Sequence, residues 1–420
     1  MKTRAKVNLK QWLAVMIIAL CMPLHGAYAD LVIPDISGVV GIEGSDGDLL
    51  PAANVTIDLS LAVTGSWDSA GTGNGVYDPA KWAVVFKYNS INIPAGKTVT
   101  FSNHPSGAPV VWLVTGSVII DGTVNLNGQN YTTNLYIPTK PGPGGFAGGK
   151  GLTGTPGFAG GGFGPGGANA TNYTSASYAS LGAGAAAGVL YGNQRIIPLI
   201  GGSGGGGEAD YNRSGGAGGG ALLIVASQNI AINGLIQALG GTGRTYFSDQ
   251  VGGGSSGAIR LVADSIAGDG RLEAYARNGG AGRIRLETLS FSGLMNINPI
   301  SPVNVPDEPL ALWPTAAAPS LKVISIGAHD VPADPNGSPH TGELDFQMDN
   351  ESISNIILEA NNVPSDASVK VRIVPVNGNP VTETAIFNSG TDAVSTWVVS
   401  DVSLPVGPFV IQAHSINPTP

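Results

Sequence analysis

The chain has a single cysteine, Cys21, and it lies within the first 29 residues. That stretch carries Lys2, Arg4, Lys6 and Lys10, then an apolar run from Trp12 to Leu20, then Ala27-Tyr28-Ala29. This is the order of a secretory signal cleaved before Asp30. Removing it leaves no thiol and no disulfide in the mature chain. A lipoprotein reading makes Cys21 the acylated residue, but Leu20 stands where that signal wants a small side chain. Long hydrophobic runs are missing too: nothing after the signal approaches the roughly 18 apolar residues of a membrane-spanning helix. The expectation is an exported chain without a transmembrane segment, extracellular or at the cell surface, with the periplasm as the alternative compartment.

Positive charge is scarce. Lys and Arg number 20 against 29 Asp and Glu, and loss of the four basic residues of the signal leaves 16 against 29, a net charge of −13. Such a chain repels nucleic acid and anionic membranes, and it contains no zinc-finger, RRM or basic-stripe pattern. Charged residues make up only 12% of the chain, and no stretch beyond the signal keeps helical apolar spacing over ten residues. With 42% hydrophobic residues and 63 glycines, the composition favours an all-β extracellular protein over a disordered one.

What is present is repetition. Four segments align: "VVWLVTGSVIIDGTVNLNG" from Val110, "LLIVASQNIAINGLIQALGG" from Leu222, "IRLVADSIAGDGRLEAYARNGG" from Ile259 and "IRLETLSFSGLMNINP" from Ile284. Each reads as strand, polar turn, strand, glycine corner, strand. Alternation along the first strand predicts Val111 and Leu113, Leu222 and Ile224, Ile259 and Leu261, and Ile284 and Leu286 as inward, with Trp112, Leu223, Arg260 and Arg285 outward. Gly122, Gly234, Gly270 and Gly293 are expected at the corners, supplying positive φ. After them, Val124 and Leu126, Ile236 and Ala238, Leu272 and Ala274, and Met295 and Ile297 turn inward. Three strands per unit with constant corners predict a parallel β-helix, a solenoid over residues 30–298, in preference to a sandwich. Residues 31–105 are expected to form irregular first coils that cap one end.

Glycine-rich tracts at 201–220, 240–257 and 277–282 read as loops leaving one corner, and 138–220 as an insertion. From Pro141 to Ala170, 14 of 30 residues are glycine. That segment is either flexible coil or a packed bundle of extended segments, anchored by Phe146, Phe158 and Phe163, with outward-facing amides. A proline-rich linker follows at 299–319. Residues 320–420 show seven short strand-like runs, "LKVISIG", "ELDFQM", "NIILEA", "VKVRIVPV", "ETAIFN", "STWVVS" and "FVIQAH", as in an immunoglobulin-like or fibronectin-like β-sandwich.

The motifs "GTVNLNG", "GGGSSGAIRLVADSIAGDG" and "GGAGRIRLET", with "IDLS…YDPAKW…TVTFSNHPSGAPVVWLVTG", resemble a group of glycine-rich secreted bacterial proteins, similar in repeat pattern to right-handed parallel β-helix proteins of the pectin-lyase-like type. The resemblance covers about residues 45–298. It implies architecture and little about function, since that fold hosts lyases, hydrolases, adhesins and phage tail proteins.

Candidate chemistry is limited. Gly144 to Lys150 fits a phosphate loop, but Gly151 replaces the magnesium-binding hydroxyl and no strand precedes it. The consecutive aspartates and Gly-His-Gly of polygalacturonases are missing, and His104, His329, His340 and His414 all lie outside the three later coils. A polysaccharide lyase needs a base and cations that neutralise a uronate. Arg260, Arg271, Arg283 and Arg285 with Glu273 and Glu287 are the available set, and the competing reading is an outward ladder of cross-strand ion pairs. Glu208, Asp210, Tyr211 and Arg213, then Arg244, Tyr246 and Asp249, then Arg277 and Asn278 would stack on one edge of the solenoid. Aromatic, amide and guanidinium groups in a row suit carbohydrate recognition, against plain solvated loop decoration. "EGSDGD" (Glu43, Asp46, Asp48) and "HDVPADPNG" (Asp330, Asp334, Asn336) are calcium candidates, with Asp-Gly and Asn-Gly turns as the simpler account; no other cofactor is expected. The sequence thus points to an exported structural or adhesive protein presenting glycine-rich loops to a polysaccharide or a surface protein. The alternatives are a polysaccharide lyase and a self-assembling filament subunit.

Overall fold

Parallel strand pairing dominates the described residues from Gly44 to Asn298 of the computed structural model. The structure describes residues 44–133, 137–152, 159–170, 174–184, 187–208, 213–246, 249–307, 310–348 and 353–416. Their regular structure is strand apart from one 3-10 turn at Leu59–Leu61. No helix among them is long and apolar enough to cross a membrane.

Six strands, Val55–Asp58, Thr98–Ser102, Thr123–Asn125, Leu235–Gln237, Arg271–Glu273 and Asn296–Asn298, form one sheet in that order, every pair parallel. Their central residues make a column, Val99, Val124, Ile236, Leu272 and Ile297, one aliphatic stacked on the next. A ten-stranded sheet runs alongside. Its main path is Val303–Asn304, Arg283–Ser292, Ala258–Ala267, Ala221–Ile232, Val110–Val114, Ala83–Tyr88, Val76–Asp78 and Val63–Thr64, with Ile91–Ile93 and Val118–Ile120 off that path. Only the hairpin of Val76–Asp78 with Ala83–Tyr88 is antiparallel. The two sheets share one core, and each fully buried branched side chain in it contributes about 1.5–3 kcal/mol.

The inward series predicted for Leu222 and Ile224, Ile259 and Leu261, and Ile284 and Leu286 holds. That of the first strand is shifted by one. Trp112 pairs with Phe86 on one side and Ile224 on the other and points into the core with Val110 and Val114. "VVWLV" is buried on both faces, so its alternation carries no polar mark of which face is inside. The fourth corner is shifted as well, since Ile297 pairs with Leu272 and Gly293 lies over Gly268.

The corner glycines are required for space. Of the four, only Gly293 has positive φ. A Cβ on Gly234 would sit 2.0 Å from the carbonyl oxygen of Gly122, and one on Gly270 would sit 2.4 Å from that of Gly234. Each corner thus rests on the backbone of the corner before it.

The glycine-rich tracts are packed. Along 201–208 the amides turn to three neighbours in rotation. Gly202, Gly205 and Glu208 donate to the carbonyls of Gly219, Gly216 and Arg213; Gly201, Gly204 and Gly207 donate to those of Gly144, Phe163 and Gly160. Ser203 donates to Ser255 Oγ and Gly206 to the Thr174 carbonyl. A period of three is that of an extended left-handed helix with no internal hydrogen bonds, whose backbone groups all point sideways. Cβ atoms on Gly202, Gly204 and Gly205 would fall 2.1, 1.9 and 2.1 Å from neighbouring carbonyl oxygens. Among the described residues the segment is therefore a bundle and not a coil, and its amides face inward to other segments. Phe163 anchors it with Ala147, Val374 and the partly buried Phe146; Phe158 lies outside the described residues.

Between Asn298 and Ser320 the chain follows the ten-stranded sheet. Val303–Asn304 pairs with Arg283–Ser292, and Leu310 and Leu312 are buried. Seven antiparallel strands follow, in the order His329–Asp330, Ser320–Ile326, Ile353–Asn361, Val394–Ser403, Val381–Gly390, Ser368–Pro375 and Phe409–Ile416, around a core of their own. "ELDFQM" is not a strand: Phe346 and Met348 pack on that core without a ladder partner. Arg372 reaches from this sheet into the glycine bundle, donating to the carbonyls of Gly162 and Gly167 at 3.1 Å each.

Candidate functional site

The candidate lyase residues fall into two places. Arg271 and Glu273 lie on the outer face of the six-stranded sheet, 3.2 Å apart, with Arg271 more than half exposed. Arg260, Arg283, Arg285 and Glu287 lie on the outer face of the ten-stranded sheet, but that face is covered. Arg260 and Glu287 are both buried; Arg260 Nε donates to Glu287 Oε1 at 2.8 Å and Arg285 Nε donates to the same oxygen at 2.7 Å. Arg260 Nη2 donates to the Ala311 carbonyl at 2.9 Å, which closes the cluster from outside. Arg283 Nη2 donates to the Tyr191 carbonyl, and its guanidinium lies 5.4 Å from the centre of the Tyr178 ring. The predicted outward ladder is thus an internal charge cluster under the proline-rich stretch.

The predicted row of loop residues is only partly brought together. The Glu208 amide donates to the Arg213 carbonyl, and the Arg213 guanidinium lies over Tyr131 at 5.6 Å. Arg244, Tyr246 and Asp249 belong to a two-stranded antiparallel hairpin, Arg244–Tyr246 with Asp249–Val251. Arg277 is exposed, whereas Asn278 is buried beside Gly253. Asp210 and Tyr211 lie outside the described residues.

The calcium candidates hold backbone and side chains. Asp46 Oδ1 accepts from the amides of Gly73 and Gly75 and Oδ2 from that of Lys87, so this carboxylate ties three segments. Asp48 accepts from Ser90 Oγ at 2.7 Å. Asp334 Oδ1 accepts from Tyr77 Oη at 2.7 Å, and Asp330 sits in a strand paired with Ser325. Glu43 lies outside the described residues. Among the described residues no three His, Cys, Asp or Glu converge as a metal site.

Two groupings went unseen in the sequence. His104 stacks on Tyr77 with ring centres 4.0 Å apart. Its Nδ1 faces Ser106 Oγ at 2.8 Å and accepts from the Ser106 amide at 3.2 Å. Burial lowers the His104 pKa, against the opposing effect of Asp334, and the ring closes a turn through Ser106. The Pro105 between them shows nothing of this contact.

The second grouping is an open cleft of about 480 Å³ lined by Thr64, Gly65, Ser66, Trp67 and Asp78–Lys81. Asp78 builds its walls: Oδ2 accepts from the Trp67 amide at 2.9 Å and Oδ1 from the Ala80 and Lys81 amides at 2.8 and 3.3 Å. Trp67 is half-buried and meets Trp313 with ring centres 5.7 Å apart, tilted by 59°. Lys81 and Ser66 add a cation and a hydroxyl at the rim. An indole face with polar groups beside it is the arrangement that holds a sugar ring, C–H groups on the aromatic and hydroxyls on the rim. No signal could have joined Trp67 to Trp313, because they lie in segments far apart in the chain.

No family model, curated protein or solved structure matches the chain.

Proposed function

We propose that this is an exported structural and adhesive protein of the cell surface or extracellular space, built as a parallel β-helix followed by an immunoglobulin-like sandwich, that holds a glycan in the Trp67 cleft. The in-register parallel columns around one core support the β-helix reading, and the antiparallel sheet with its separate core supports the sandwich reading. The tilted Trp67–Trp313 pair beside Lys81 carries the functional reading. The site therefore moves from the glycine-rich tracts, whose amides are spent on one another, to the cleft between Thr64–Trp67 and Asp78–Lys81.

Titration of the purified chain with a panel of soluble neutral and uronate polysaccharides, followed by calorimetry and tryptophan fluorescence, tests this. The expected result is saturable binding, weakened at least tenfold by Trp67→Ala. Absence of binding across the panel, or binding indifferent to Trp67→Ala and Trp313→Ala, overturns it.

A further inference from the structure

We propose that the two ends of the parallel stack dock on one another, so that a second copy of this chain continues the sheets head to tail. The columns of the core finish at both ends in apolar side chains that lack a stacked neighbour on their outer side. One column runs Leu49, Ile91, Val118, Ile230, Ile266, Phe291. Another runs Val55, Val99, Val124, Ile236, Leu272, Ile297. At the first end Leu50 is 57% exposed and Val63, on the edge strand of the ten-stranded sheet, 53%. At the last end Leu294 is 88% exposed, Ile300 94% and Val303, on the opposite edge strand, 41%. Val55 and Ile297 are each only partly buried against the core, since each lacks the stacked neighbour that every interior member of the column has.

Charge marks the same two places. No charged residue occurs between Glu287 and Asp307, and only Asp58 between Asp48 and Asp68, in a chain with 29 acidic and 20 basic residues. Copies of an acidic chain repel over most approaches, and these charge-poor ends are where they can meet. Edge strands with little charge and no cover are templates for pairing, and the one charge here, Asp58, sits at the strand's end and is held by the Ser60 amide and hydroxyl. Seating Val55 of one copy beside Ile297 of the next puts Thr56 beside Asn298, which extends the polar ladder that Thr56 and Thr100 begin with a 2.8 Å hydroxyl contact. Parallel stacking has a direction, so this contact joins unlike ends, does not close, and grows a filament.

The experiment is sedimentation and electron microscopy of the full chain over a range of concentrations, with Leu294→Lys and Leu50→Lys each placing a charge at one exposed end. The expected result is species that lengthen in one direction with concentration, and monomers for each variant alone. Mixing the two variants restores one junction, because each supplies the end the other lacks, and assembly then stops at a dimer. Ile300→Lys is the second variant for the last end, and circular dichroism and thermal melting check that all three remain folded. A monomer at every concentration, a dimer that Leu50→Lys leaves intact, or a mixture that stays monomeric overturns the proposal. None of these readouts depends on glycan binding.

Discussion

Arg260 Nε donates to Glu287 Oε1 at 2.8 Å with both side chains buried, and the Ala311 carbonyl caps the guanidinium. Two arginines share one carboxylate under a covering segment. Glu287→Ala leaves both guanidinium groups without their anion, and loss of one partner of a buried pair costs about 3–5 kcal/mol. Urea unfolding should show that loss, with much of it recovered in the Arg260→Met, Glu287→Met double variant. A Glu287→Gln protein that is folded and has lost a measurable elimination activity on a uronate polymer would restore the lyase reading.

The corner stack predicts a sharp contrast between glycines. Gly234→Ala drives a methyl to 2.0 Å from the Gly122 carbonyl oxygen, a backbone atom that cannot rotate away, so the cost exceeds the roughly 1–3 kcal/mol of ordinary overpacking. Gly65→Ala meets nothing closer than 3.6 Å and should leave stability within about 0.5 kcal/mol. Denaturation midpoints and soluble yield of the two variants provide the comparison.

Acid should weaken the protein through its histidines. Burial lowers the pKa of His104, with Asp334 opposing, and burial with Arg372 and Lys370 lowers that of His414. A group whose folded pKa lies below its unfolded value binds protons more readily when unfolded. The stability these histidines carry is therefore complete above the unfolded pKa of about 6.5 and lost as pH falls from there through the folded values. Urea midpoints should drop from pH 7.5 to 5.5, and His104→Phe, which keeps a ring against Tyr77, should flatten part of that slope.

Lys87 is fully buried, and its Nζ has no hydrogen-bond partner among the described residues. Burial lowers its pKa, while Asp46 and Asp68 act the other way. Lys87→Met keeps the length of the stem and removes the polar head, so it should stabilise by about 1–3 kcal/mol. Thermal and urea unfolding of this single variant measure the gain.

The repeat was legible where alternation had a polar partner. "IDG", "ING" and "GDG" mark corners, and the apolar residues after them fall in register because each strand there is buried on one face only. "VVWLV" defeated the same reading by being apolar throughout. "ELDFQM" alternates like a strand and packs like one, yet pairs only through the single bridge of Glu343 with Ser338, which alternation does not report. The candidate site was less legible than the fold. Trp67 and Trp313 become neighbours only when the segment after Asn298 returns along the ten-stranded sheet, and Tyr77 meets Asp334 by a comparable return.

The sequence by itself determined the all-β character, the positions of most strands and the stacked aliphatics of the six-stranded sheet, since these follow from the residues within each strand. Tertiary structure alone decided that Arg260 and Glu287 are buried, that the glycine-rich tracts pack with their amides turned inward, and that the corner glycines serve space more than φ. The reason is common to all three. What surrounds an outward side chain, an extended glycine or a turn is supplied by other segments of the chain, as Ala311 covers Arg260 and Gly234 meets Gly270, and no local pattern records their approach.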